Sequence, residues 1–120
     1  MRFREILEAV EIPKANKGGN CYQVAYRYSQ NHPDLKLVHG LVQGQGALKG
    51  VRYNHAWVED TKNVFDLTLP KKYQKMPKED YYALGKIKDV FRYSQKEILD
   101  KILKYETYGP WETVLLKNKY

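Results

Sequence analysis

The chain has 120 residues and a formal net charge of +7, with 42% hydrophobic and 29% charged residues. That is enough for one core and no second one, so a single domain over residues 1–120 is expected. No stretch approaches the ~18 apolar residues that would span a membrane. Met1-Arg2-Phe3-Arg4-Glu5 has no signal-peptide character, so a cytoplasmic setting is expected.

Phe3, Ile6, Leu7 and Val10 recur at helical spacing, and Pro13 ends that helix. Lys14 to Gly19 reads as a polar loop. Asn20 is a good N-cap with Gln23 as its reciprocal partner, so Cys21 is expected to be the first helical residue. The inward stripe of this helix is Cys21, Val24, Ala25 and Tyr28, and the helix stops near His32-Pro33. A cysteine at that end sits by unpaired amides and the positive end of the macrodipole, which favour a thiolate.

Leu35 to Gln43 reads as a strand with Leu37, His39 and Leu41 on one face and Val38 and Val42 on the other. Tyr53–Glu59 and Asn63–Leu67 form a hairpin around Asp60-Thr61-Lys62. Lys71 to Met76 is a basic loop, and Pro77 opens a short helix that Gly85 terminates. Lys86 to Tyr93 is a further strand. Ser94 and Glu97 make a capping box for a last helix whose Ile98, Leu99, Ile102 and Leu103 are expected to pack inward. Tyr108-Gly109-Pro110 breaks it, and Val114-Leu115-Leu116 reads as a short edge strand. The whole is an α+β domain, with N-terminal helices on an antiparallel sheet.

One cysteine cannot form an internal disulfide, and one cysteine with three histidines shows no zinc spacing, so neither a metal nor an organic cofactor is expected. The pattern suits a nucleophile instead. Side chains alternate along a strand, so His55 and Asp66 share one hairpin face, directly opposite or one diagonal step apart. A carboxylate there can hold one imidazole nitrogen and leave the other for Cys21. That makes Cys21, His55 and Asp66 the candidate catalytic residues. His39 is the rival base, but no acid follows it at a useful spacing.

Gly19-Asn20-Cys21-Tyr22, His55-Ala56-Trp57-Val58 and Phe65-Asp66 resemble the papain-like and transglutaminase-like superfamily. The resemblance implies a nucleophilic cysteine opening a helix, packed on an antiparallel sheet that supplies histidine and then an acid. The order Cys, His, Asp is that of transglutaminases and arylamine acetyltransferases. Gly19 to Tyr22, Val38-His39-Gly40 and His55 to Glu59 also resemble segments of small bacteriophage proteins. Papain-like enzymes carry a glutamine before the cysteine that donates to the oxyanion. This chain has none there, which leaves Asn16, Asn20 and Gln43 as oxyanion candidates.

These observations point to a small cysteine hydrolase or acyltransferase acting on an amide, isopeptide or thioester carbonyl of a protein or small molecule. The alternative is a non-catalytic binding protein of viral type that grips a host protein or nucleic acid through a Tyr- and Lys-rich surface. Six lysines lie between residues 71 and 88, against Glu79 and Asp80. Only weak, non-specific nucleic-acid binding is expected from them.

Overall fold

A computed structural model describes residues 17–44 and 50–117. The expected first helix, over Phe3 to Val10, lies outside the described residues. The elements run α1 (Lys17–Asn31), β1 (Lys36–Gln43), β2 (Arg52–Glu59), β3 (Asn63–Phe65), a 3-10 turn (Lys71–Tyr73), β4 (Lys75–Pro77), α2 (Lys78–Gly85), β5 (Lys88–Tyr93), α3 (Gln95–Tyr105) and α4 (Thr113–Leu116). The five strands form one antiparallel sheet in the order β4-β3-β2-β1-β5. Among the described residues no helix is long and apolar enough to cross a membrane.

The strand alternation read from the sequence sorts the core into two layers. Leu37, Ala56, Val58 and Tyr93 pack with Cys21, Val24, Ala25 and Tyr28 of α1, together with Ile98 and Trp111. Val38, Val42, Trp57 and Val64 pack on the other side with Tyr81 of α2. Asp60 closes the hairpin: its Oδ1 accepts from the amides of Lys62 (2.7 Å) and Asn63 (2.6 Å). This is the Asx-turn chemistry that favours aspartate there. Ser94 and Glu97 form the expected capping box, at 3.2 and 2.8 Å.

Several expectations are corrected. Helix α1 begins at Lys17, so Asn20 is helical rather than its cap and Cys21 lies one turn inside. Gly18-Gly19 is a poor helix former, yet both residues lie within the helix. The basic loop contains the 3-10 turn and strand β4, whose apolar signal is a single methionine, Met76. Leu99 and Leu103 are 56% and 69% exposed, because Ile98 and Ile102 already fill the narrow contact between α3 and the sheet. Val114 to Leu116 belongs to a short helix instead of a strand, a distinction that three apolar residues cannot encode. The left-handed residue ending α2 is Lys86 rather than Gly85.

Candidate active site

The register explains how histidine and acid meet. Val58 pairs with Phe65 and Glu59 with Val64. Continuing that ladder would set Asp66 across from Trp57, one diagonal step from His55 and on the same face. The chain leaves β3 at this point, and the Asp66 amide bonds the Gln74 carbonyl at 2.8 Å. The Gln74 side chain donates to the Leu69 carbonyl at 2.9 Å and so holds the loop that carries Asp66.

His55 Nε2 lies 2.8 Å from Asp66 Oδ2, with 12% and 2% of the two side chains exposed. The Tyr81 hydroxyl donates to the same oxygen at 2.6 Å. Asp66 Oδ1 accepts from the Thr68 amide at 3.0 Å and the Thr68 hydroxyl at 2.6 Å. Four donors thus match the roughly four lone-pair sites of an ionised carboxylate. Burial by itself would raise the proton affinity of Asp66; the charge and bond of His55, with the Thr68 and Tyr81 bonds, hold it below the usual carboxylate range.

Cys21, 2% exposed, hydrogen-bonds the same imidazole. Burial would lower the proton affinity of His55, but Asp66 and Cys21 outweigh it and hold the ring's proton well above the usual histidine range.

By strand parity His55 belongs with Trp57 to the α2 layer, whereas Cys21 belongs to the α1 layer. Among the described residues β3 pairs with β2 only at Val58 and Glu59, short of His55. Residues of both parities line a narrow cleft beside Cys21: Ala56 and Trp57, Phe65 and Asp66.

Neighbouring side chains fix the rung. The Tyr22 hydroxyl donates to Asn54 Oδ1 at 2.6 Å, tying the residue after Cys21 to the residue before His55. Asn54 Nδ2 in turn donates to the Leu115 carbonyl at 2.8 Å. Behind the site, buried Glu59 accepts from Trp57, Tyr82 and Arg92 at 3.1, 2.6 and 2.7 Å and pairs with Lys78 at 2.8 Å. Burial opposes ionisation of Glu59, and these partners more than offset it, so its proton affinity falls below the usual range.

Sequence reasoning missed Tyr22, Asn54, Thr68, Gln74 and Tyr81. Asn54 on the apolar face of a strand, and Thr68 two residues after an aspartate, were usable signals. Nothing local marks Tyr81.

Of the oxyanion candidates, Gln43 alone has a side chain among the described residues. Asn16 lies outside the described residues, as does the Asn20 side chain. Gln43 pairs with Arg52, while His55 pairs with Gly40 three residues earlier, so Gln43 lies about 10 Å along the sheet. Its Oε1 accepts from Arg52 at 3.4 Å. The Cys21 amide, now inside a helix, has the carbonyl four residues earlier as its regular partner.

His39, the rival base, is fully buried among Tyr22, Tyr93 and Trp111 at ring distances of 4.7, 5.0 and 4.7 Å. Neither of its nitrogens has a hydrogen-bond partner among the described residues. Burial, and then the charge of His55, push its pKa down to about 3. Gly109 makes this packing possible: at φ +125° it tolerates a turn that other residues resist, and a Cβ there would sit 2.6 Å from the His39 ring.

No family model, no curated protein and no solved structure matches this chain.

Proposed function

We propose that the protein is a cysteine-nucleophile hydrolase or acyltransferase of papain-like or transglutaminase-like type, acting in the cytoplasm on an amide, isopeptide or thioester carbonyl. One observation carries this reading: a single imidazole is bonded at Nε2 to a buried carboxylate whose remaining sites are filled by protein donors, and it also bonds the chain's one cysteine. His55 takes the thiol proton, and the Cys21 sulfur attacks the carbonyl. The leaving amine or thiol departs with the proton held by His55, and water or an amine then resolves the thioester. Asp66 fixes the ring and balances its charge.

Alkylation by iodoacetamide tests the reading. Native Cys21 should react at pH 7 at least as fast as the same residue in the urea-unfolded chain, with peptide mapping to confirm the site. The second reading, a binding protein that keeps the scaffold, draws on the near-complete burial of Cys21. It requires slow native labelling that rises on unfolding.

Nucleic acid is a weak candidate partner. Lys75 lies on β4 and Lys88 on β5, opposite edges of the sheet about 19 Å apart at ~4.8 Å per strand. Lys78 is committed to Glu59. Binding to duplex DNA should therefore be weak, with a log affinity against log salt slope no steeper than about −3. Tight, sequence-selective binding at physiological salt would favour the binding-protein reading.

A further inference from the structure

The cleft beside Cys21 is narrow, about 180 Å³ measured out to the surface, with no enclosed space for a water molecule. Its apolar wall is made by Val24, Ala25, Ala56, Phe65 and Leu67. Two of these are alanines, whose short side chains leave that wall low. Tyr28 also lines it, and the polar groups of Trp57, Asp66 and Thr68 that reach it are engaged. Both Thr68 donors go to Asp66, and the Trp57 indole N–H goes to Glu59. The Asp66 oxygens already take four donors.

A polar or charged substituent placed here would lose its hydration and find these groups occupied, whereas an aliphatic one would exchange water for carbon contacts. Access requires the walls to spread, which limits the group to a few carbons. We propose that this cleft is the acyl-group subsite of the Cys21 centre and that it selects short, uncharged, apolar acyl groups. This inference rests on the cysteine-nucleophile reading and adds the class of acyl donor to it.

The step is a transthioesterification. The Cys21 sulfur forms a bond to the acyl carbon, the donor's carbon–sulfur bond breaks, and the departing thiolate takes the proton that His55 received from Cys21. An acyl-cysteine and a free thiol result.

Matched thioesters of N-acetylcysteamine, one butyryl and one succinyl, test the selection at equal chain length. The rate of adduct formation on Cys21 is read by intact mass with peptide mapping. The butyryl donor should react about 30-fold faster than the succinyl donor. The net charge of +7 biases the comparison the other way, since it attracts the succinyl anion. A ratio below about fivefold, or a preference for succinyl, overturns the apolar subsite while leaving cysteine acylation intact. Failure of both donors to acylate a chain that remains folded removes the nucleophile reading and the subsite together.

Discussion

Replacing His55 by glutamine lowers the rate of Cys21 acylation by a butyryl thioester by about 100-fold or more, the usual contribution of a positioned general base. Glutamine is the informative substitution because its amide can still donate to Asp66. Alanine would also leave that buried carboxylate short of one of its two hydrogen-bond donors at Oδ2, at a further cost of about 1–3 kcal/mol, and so confuse lost chemistry with lost fold. His55→Gln should keep the wild-type circular dichroism spectrum and unfold cooperatively. Asp66→Asn acts only through the ring's orientation, tautomer and charge, and should slow acylation as well. Equal rates for wild type and His55→Gln, in chains shown to be folded, would mean that Cys21 does not use this imidazole.

The parts of this arrangement that were legible in the sequence share a physical basis. Alternation along β1 and β2 separates Leu37 and Val58 from Val38 and Trp57, and the structure keeps that division. Matching parity brings His55 and Asp66 to one face because a strand's period of two is rigid. The Ser94–Glu97 box is local chemistry within four residues. What was illegible depends on contacts between distant segments. That β3 stops after three residues, with the Asp66 amide bonded to the Gln74 carbonyl instead of continuing the ladder, has no local signal. The fourth hydrogen bond to Asp66 comes from Tyr81, fifteen residues further along the chain on helix α2. Helix α3 shows the limit of pattern reading. Its apolar stripe is wide enough to bury four residues, but the sheet edge offers room for about half of it, and Leu99 and Leu103 face solvent.

The His39→Leu chain resists acid far better than the wild type. An unfolded histidine binds its proton near 6.5, and His39 in the fold does so only at about 3. Between those values the unfolded state holds more protons, so every step toward acid favours unfolding. One such group costs ~1.4 kcal/mol per pH unit, or ~3 kcal/mol on going from pH 6.5 to 4. His55 has the opposite sign. Its raised proton affinity gives stability that is fully present below 6.5 and is lost as pH rises through its folded value, so it does not contribute to the acid loss. Asp66 stabilises above the usual carboxylate value of 3.8 and fails only as pH falls through its lower folded value. The loss between pH 6.5 and 5 therefore belongs chiefly to His39. Leucine removes two nitrogens that have no partner among the described residues and gives up the ring contacts with Tyr22, Tyr93 and Trp111. At pH 7 the two chains should differ by no more than about 1.5 kcal/mol. Urea unfolding at pH 7, 5 and 4 reads the difference, with the variant gaining ~2 kcal/mol on the wild type by pH 5 and ~3 kcal/mol by pH 4. Parallel pH profiles would show that His39 titrates normally in the fold. The same variant also settles which histidine serves Cys21, because its acylation should stay within about threefold of wild type if His55 is the base.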